Sequence, residues 1–371
     1  MSTPPMGPND FINQMEPWID DNEVRHMTEY LSSGGWLTEF KKTAEFEEMV
    51  AAYTGAKHCI IVANGTVSMS VAYWALGIGP GDEVLVPDVT MIATPNAVRL
   101  VGATPVLVDV EAATLCMDLE RAAAAITPRT KAVALVSLNG RAPDMHAWRT
   151  FCDARGLVLM EDAAQSLGSR QGGTHLGRFG QVGSFSFSAP KIITTGQGGA
   201  LITDDDALAL RMRKIKDFGR VKAGVDWHDM MGQNFKTTDV QSVLGIEQMK
   251  KLPWRVERKK AMYRRYEAAL SGVNGVGMLR TSDDTAPWFM DVYVDDPAGL
   301  REHLHTRGIG SRPVYPAVHR QSIYAGDAQF PVAERFCSRG LWLPSSSFLD
   351  DATIDRVTAG VRAFVSGGTA S

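Results

Sequence analysis

Between residues 58 and 161 the chain repeats one pattern. A short, nearly uninterrupted apolar run is followed by a segment whose apolar positions recur three and four residues apart. The runs at 58–63, 83–87, 104–108, 132–138 and 157–161 lack the polar alternation of a half-exposed strand, so they predict strands covered on both faces. The segments at 66–76 and 94–101 carry helical spacing and predict crossovers between parallel strands. Two helices are predicted upstream, at 21–32 and 44–54, each stopped by glycine at Gly34-Gly35 and Gly55. The result is an α/β fold around a central, mostly parallel sheet. The pattern changes near residue 240. Long helices are predicted at 239–252 and 257–270, then short strands at 288–294 and 310–315 with helices at 298–305 and 351–365, which suits a smaller C-terminal α+β domain. The expected division is a flexible Pro-rich segment over 1–20, a large domain over 21–250 and a small domain over 251–371.

A length of 371 residues exceeds what one hydrophobic core usually serves, which agrees with two domains. A net charge of -4 argues against nucleic acid or an anionic membrane as the partner. The basic run Arg258, Lys259, Lys260, Arg264 and Arg265 reads as the solvated face of a helix. Cys59, Cys116, Cys152 and Cys337 are far apart, without metal-ligand spacing, and suit free thiols in a reducing cytoplasm. The first residues have neither the basic start nor the apolar centre of a signal peptide, and no apolar run approaches the roughly 20 residues that span a bilayer. A soluble cytoplasmic protein acting on small molecules, with no metal, is expected.

The candidate chemistry centres on Lys191. It follows Ser184-Phe185-Ser186-Phe187-Ser188-Ala189-Pro190 and precedes Ile192-Ile193-Thr194-Thr195-Gly196-Gln197-Gly198-Gly199. A lysine set between apolar residues and a Gly-rich turn is expected to lose part of its hydration and so part of its basicity, as a nucleophilic amine requires. Upstream, the run at 157–161 leads into Asp162, a carboxylate at a strand end. A strand-end acid and a loop lysine together are how pyridoxal 5'-phosphate is usually held. The acid keeps the ring nitrogen protonated, and the lysine attaches to the aldehyde. Asp162 reads equally as a helix cap, because Ala163-Ala164-Gln165-Ser166 follows it. Asn64-Gly65-Thr66 lies between a strand and a helix, where unpaired N–H groups, close approach at glycine and a hydroxyl suit a phosphate; plain N-capping is the alternative. Ser186 stands five residues before Lys191 and can add a further phosphate donor. Gly196-Gln197-Gly198-Gly199 has the wrong spacing for a dinucleotide fingerprint and leads into a strand.

Taken in order, Asn64-Gly65-Thr66, Gly79-Pro80-Gly81-Asp82-Glu83-Val84, Gly102-Ala103-Thr104-Pro105-Val106, Glu161-Asp162-Ala163-Ala164-Gln165-Ser166 and Ser186 through Gly199 resemble the DegT/DnrJ/EryC1/StrS family of sugar aminotransferases, over about residues 20 to 365. The resemblance implies the aspartate-aminotransferase-like (type I) fold. In it a mixed, mostly parallel sheet of seven-stranded type lies between helices, and the large domain binds pyridoxal 5'-phosphate. It also implies site roles. Lys191 would hold the cofactor covalently and shuttle protons, Asp162 would meet the pyridine nitrogen, and Gln165 would lie near the ring hydroxyl. Gly65, Thr66 and Ser186 would hold the phosphate. Asn234 would reach the phosphate of the neighbouring subunit's cofactor, making a homodimer with shared sites. Arg312 and His319 fall in the family's substrate-proximal C-terminal segment, and His228 is a further substrate residue. Lys191-Ile192-Ile193-Thr194-Thr195-Gly196, Trp227-His228, Gly232-Gln233-Asn234-Phe235, Arg312-Pro313-Val314 and Leu343-Pro344-Ser345 are most similar to members that aminate the C4 ketone of a nucleotide-linked 4-keto-6-deoxyhexose with L-glutamate as donor.

The chain departs from the family pattern at four places. Met91 stands where an aromatic residue covers the cofactor, and its polarizable sulfur can still pack there. Gln197 replaces a glutamate, Lys236 an arginine, and Ser137-Leu138-Asn139-Gly140 a His-Leu-Tyr-Gly segment. Two other readings stay open. A sugar dehydratase of the same fold carries histidine where Lys191 stands, and a non-catalytic cofactor-binding regulator would explain Gln197 and Met91.

Overall fold

The apolar runs become the interior of a seven-stranded sheet. The computed structural model of the protein describes residues 10–367. Its strands in the large domain are β1 (His58–Val62), β2 (Glu83–Pro87), β3 (Thr104–Val108), β4 (Thr130–Val136), β5 (Val158–Asp162), a small hairpin of β6 (Arg170–Gln171) and β7 (Thr174–His175), then β8 (Val182–Ser186) and β9 (Gly199–Thr203). The main sheet runs in the order β1-β9-β8-β5-β4-β2-β3. All its pairs are parallel except those of β9, which is antiparallel to both β1 and β8.

Alternate residues of each strand enter different cores, as a pleat with period two requires. Ile60, Val62, Val84, Val86, Ala132, Ala134 and Met160 pack under α3 (Gly65–Ala75), α4 (Ala93–Leu100) and α7 (Asp206–Lys216). On the other face Cys59, Ile61, Phe185 and Ile202 meet α2 (Lys41–Thr54) and α8 (Asp239–Leu270), while Leu85, Val133, Leu135 and Leu159 meet α6 (Met145–Asp153). Helices α1 (Asp21–Ser32) and α5 (Leu119–Ala125) lie outside these layers' centres and expose most of their residues. The small domain is an antiparallel sheet, β10-β12-β11, made of β10 (Met290–Tyr293), β11 (Arg312–Pro313) and β12 (Gly340–Leu343). Its core joins that sheet to the end of α8, α9 (Pro297–His305) and α11 (Asp351–Gly367), with α10 (Pro331–Cys337) at the side. Among the described residues no helix is long and apolar enough to cross a membrane.

Two expectations are revised. Helices over 239–252 and 257–270 are expected from the sequence; one 32-residue helix, Asp239–Leu270, runs through both. Pro253 forfeits one backbone bond, a loss of roughly 3 kcal/mol in a helix interior. The helix continues because its buried side carries both cores. Leu252 and Val256 belong to the sheet core, Met262 and Tyr266 to the small domain. Residues 1–20 were expected to be a flexible segment. Residues 1–9 lie outside the described residues, but 10–20 are strapped down. Ile12 is fully buried and exchanges backbone bonds with Gly308 and Gly310 at 2.8 and 2.7 Å, and the Gln14 carbonyl accepts from Ser345 N at 2.8 Å. Two of the five residues of the basic run of α8 pair with α11, through Arg258–Asp351 at 2.9 Å and Arg265–Asp351 at 3.0 Å, and Lys260 pairs with Glu257 of α8 itself; Lys259 alone is fully buried.

Candidate active site

Strands β1, β2, β4, β5 and β8 point the same way, so their carboxyl ends share one edge, where α/β sheets bind ligands. Asp162 closes β5 on that edge and is buried. Its Oδ2 accepts from Thr94 Oγ1 at 2.7 Å, and its Oδ1 from Ala164 N at 3.2 Å. Thr94 Oγ1 in turn lies 2.8 Å from Thr90 Oγ1. Burial pushes the Asp162 carboxyl above the usual range, while the Thr94 and Ala164 bonds and the charge of Lys191 oppose that. Both readings of Asp162 thus hold something: Oδ1 caps the turn at Ala164, and the carboxylate still faces the site's charge.

The start of α3 is pressed against the ends of β8 and β9. Asn64 Oδ1 accepts from Val67 N at 2.9 Å, which caps the helix. A Cβ on Gly65 would come 2.8 Å from Ser186 Cβ, and one on Gly199 2.5 Å from the Asn64 carbonyl carbon. Only glycines allow this approach, which brings the helix N-terminus, Thr66 and Ser186 together. Ser186 Oγ has only long contacts, 3.4 Å to Ser188 N and to Ser188 Oγ, so its hydroxyl has capacity left.

Lys191 is half-buried, with Nζ 3.8 Å from the ring centroid of Trp288. Among the described residues Nζ makes no hydrogen bond or ion pair. Burial lowers its pKa to about 8, Asp162 acts the other way, and Arg312 lowers it further. The Trp288 indole N–H donates to the Pro190 carbonyl at 2.7 Å, one residue before the lysine.

Other expected residues are spread around this centre. Gln165 is buried and accepts from Asn139 N at 2.8 Å. Asn139, in the left-handed region at φ 54°, accepts through its side-chain Oδ1 from Phe289 N at 3.2 Å. Met91 is 42% exposed in the turn before α4. Arg312 is exposed and stacks on Trp342 at 4.8 Å; burial pushes the Tyr315 hydroxyl up to about 12, and the nearby charge of Arg312 opposes that. His319, expected beside substrate, is buried: Nδ1 lies 2.6 Å from Asp88 Oδ2, and Nε2 lies 3.1 Å from Glu334 Oε1. Both ring nitrogens are engaged, so a substrate contact there requires one of these bonds to give way. His228 and Asn234 are exposed in the segment that follows α7, and neither meets Lys191 or Asp162 within the protomer. Gln197 is exposed, and its carbonyl accepts from Gln241 Nε2 at 2.7 Å. Lys236 pairs with Asp217. Sequence reasoning did not single out Thr94, Trp288 or Tyr315. Thr94 opens a segment whose local pattern shows only a helix, and Trp288 and Tyr315 lie in segments that show only strands.

This centre fits pyridoxal 5'-phosphate. Asp162 is a buried carboxylate with no arginine or lysine within ion-pair distance among the described residues, as a protonated pyridine nitrogen requires of its partner. The glycine-cleared cradle at Gly65, Thr66 and Ser186 suits a dianionic phosphate, and Lys191 offers an amine of lowered basicity. Comparison with known proteins agrees. The model of the DegT/DnrJ/EryC1/StrS aminotransferase family matches residues 17–362. The GDP-perosamine synthase of Caulobacter vibrioides is 35% identical, over 94% of this chain and 96% of its own. The dTDP-4-dehydro-2,3,6-trideoxy-D-glucose 4-aminotransferase of Saccharopolyspora spinosa is 33% identical over 93% and 94%. Among solved structures, the aminotransferase TlmJ from Streptoalloteichus hindustanus superposes with a TM-score of 0.92 at 32% identity, covering 97% of this chain and 100% of its own.

Proposed function

The chain belongs to the DegT/DnrJ/EryC1/StrS aminotransferase family, and from that premise we propose that it transfers the amino group of L-glutamate to the C4 ketone of a nucleotide-linked 4-keto-6-deoxyhexose, as a GDP-perosamine synthase does. Membership makes it a pyridoxal 5'-phosphate-dependent sugar aminotransferase. The observation that supports amine transfer is Lys191, a half-buried amine with a pKa of about 8 beside the buried carboxylate of Asp162; the likeness to the GDP-perosamine synthase supports the finer reading.

When bound, the cofactor supplies an electron sink for the carbon that loses its proton. Asp162 would hold the pyridine nitrogen protonated, and Gln165 would lie near the ring hydroxyl. Gly65, Thr66 and Ser186 would hold the phosphate, and Met91 would pack against the ring. Lys191 Nζ would hold the cofactor's aldehyde until the donor amine displaces it, and the freed amine would then take a proton at the donor's Cα and return one on the acceptor side. Such an exchange is most efficient when the amine's pKa lies near the working pH. Arg312, His228 and His319 belong to the substrate side. The reading also includes a homodimer in which Asn234 reaches the neighbouring subunit's cofactor phosphate. Exposed Trp36, Phe40, Trp227 and Met231, between 55% and 70% accessible, support an apolar face that a second copy covers. Four free thiols suit a cytoplasmic location.

The test offers L-[15N]glutamate and a panel of GDP- and dTDP-linked 4-keto-6-deoxyhexoses to the purified, cofactor-loaded protein. Release of 2-oxoglutarate and one heavy nitrogen in the sugar product are expected. Lys191→Ala should lose turnover entirely. No labelled amino sugar from any acceptor sinks the substrate reading, and retained turnover in Lys191→Ala moves the reactive amine elsewhere.

A further inference from the structure

Among the described residues the Lys191 ammonium has no carboxylate within ion-pair distance, yet it lies over an indole. The Nζ–centroid distance of 3.8 Å is well inside the roughly 6 Å over which a cation is drawn to an aromatic face. That ring is held on several sides. Its N–H donates to the Pro190 carbonyl at 2.7 Å, tying it to the backbone that carries the lysine. Phe289 stacks on it at 3.8 Å with an interplanar angle of 19°, and Trp342 closes from 5.9 Å. Its own carbonyl accepts from Lys259 Nζ at 2.6 Å, and the same ammonium donates to the Ser345 carbonyl. Lys259 is fully buried without a carboxylate partner, so its donors are committed to those carbonyls. Trp288 is only 3% exposed.

We propose that Trp288 is a positioning residue for Lys191: its indole face is the platform on which the free amine rests as an ammonium, and its N–H sets the height of the loop that carries the lysine. This rests on Lys191 being the reactive amine. A transaminating lysine is released from the cofactor and must take it back in each cycle. Between those moments a long, flexible side chain loses its geometry unless something holds it. A carboxylate would hold it too well, because a strong ion pair keeps the proton. An aromatic face attracts the ammonium more weakly and has no affinity for the neutral amine, so it favours the protonated form modestly. The charged and titratable groups facing Lys191 are Asp162 at the end of β5 and Arg312 on β11, with Tyr315 beside Arg312. Asp162 also favours the ammonium and Arg312 opposes it, so the platform adds to Asp162.

The test grades the ring's electron density without changing its shape. Full-length protein is produced with tryptophan, 5-fluorotryptophan or 5,6,7-trifluorotryptophan, and the Lys191 pKa is read in cofactor-free chain by competitive amine acylation against pH, followed by peptide mass spectrometry. Fluorination leaves the indole N–H bond to Pro190 in place. The pKa should fall stepwise with fluorine, by roughly half a unit to one unit in total, the size expected of losing one such contact. In Trp288→Phe, the fluorinated preparations should share one pKa, since the other tryptophans do not face Lys191; that variant also keeps an aromatic face should a larger change unfold the chain. In the holoenzyme whose cofactor already carries the amino group, so that Lys191 is free, the acid limb of kcat/KM for the sugar acceptor should move with the same order. A Lys191 pKa that ignores fluorination, or a gradation that survives Trp288→Phe, overturns the proposal. Turnover retained in Lys191→Ala would instead defeat the functional reading and leave the acylation result standing.

Discussion

The Thr94 hydroxyl bonded to Asp162 shows what a single residue adds to the site. Asp162 is read from the sequence as an acid at a strand end, equally able to cap a turn. Its environment comes from Thr94, 68 positions earlier, whose Oγ1 donates to Oδ2 at 2.7 Å. That bond stabilises the ionised carboxylate against its burial, so that a cationic ring nitrogen finds an anion. Hydrogen bonds to a charged group are worth about 1.5–3 kcal/mol. Thr94→Val keeps the shape and removes the donor. It should weaken pyridoxal 5'-phosphate binding by roughly ten- to a hundredfold, measured as the Kd from equilibrium dialysis; an unchanged Kd would mean that the bond is idle. No local pattern around Thr94 announces this role, since a threonine at the start of a helix is ordinary.

At the scale of elements, the start of α2 is capped from a distance. Phe40 precedes it and offers no side-chain cap. Asp239, at the start of α8, does this instead. Its carboxylate accepts from Phe40 N at 2.7 Å, Thr43 N at 2.9 Å, Lys42 N at 3.0 Å and Thr43 Oγ1 at 2.8 Å. One buried acid therefore satisfies three orphan N–H groups of another helix and pins α2 to α8. Asp239→Ala should lower stability by about 2–4 kcal/mol, read by urea denaturation, with Asp239→Asn recovering part of the loss. A change below about 0.5 kcal/mol would show that water replaces the carboxylate. The elements themselves were largely legible. The helix at 21–32 and the strands at 83–87 and 104–108 keep their predicted bounds, because period and punctuation are local properties. Strand β8 was missed as a strand: Val182-Gly183-Ser184-Phe185-Ser186 contains too few apolar residues, and its pairing with β5 and β9 makes it one.

For the whole molecule, the loop that links β5 to β8 is locked by a neutral histidine, which makes stability depend on pH. His175 is fully buried; its Nε2 accepts from Gly168 N at 3.0 Å, so Nδ1 carries the proton toward the Leu176 carbonyl at 2.5 Å. Burial pushes its pKa down from 6.5 to about 4. Between these values the unfolded chain binds the proton and the folded one does not, so stability rises with pH over this range. The contribution is present above about pH 6.5 and is lost as pH falls toward 4, by roughly 3 kcal/mol at full extent. Denaturation midpoints followed from pH 7 to 4.5 should show this decline, and His175→Gln should flatten part of it. A slope identical in both proteins would assign the decline to other groups. The two domains are tied nearby by a buried bidentate pair, Arg141 with Asp291 at 3.0 and 2.8 Å, which spans the chain from 141 to 291.

By itself the sequence determined the α/β alternation, the strands buried on both faces, the glycine stops, and the order in which Asn64-Gly65-Thr66, Asp162, Ser186 and Lys191 occur. These depend on neighbours a few positions apart, where period, backbone freedom and capping act. Only the tertiary structure decided the strand order that puts those residues on one edge, the single helix running past Pro253, and the burial of His319 between two carboxylates. It also decided which aromatic ring lies under Lys191. Such contacts join residues tens to hundreds of positions apart, and they arise when the sheet closes and the small domain packs against it. The identity of a side chain is written in the chain; its partner, and hence its charge and basicity, is set by what folding brings within a few ångströms.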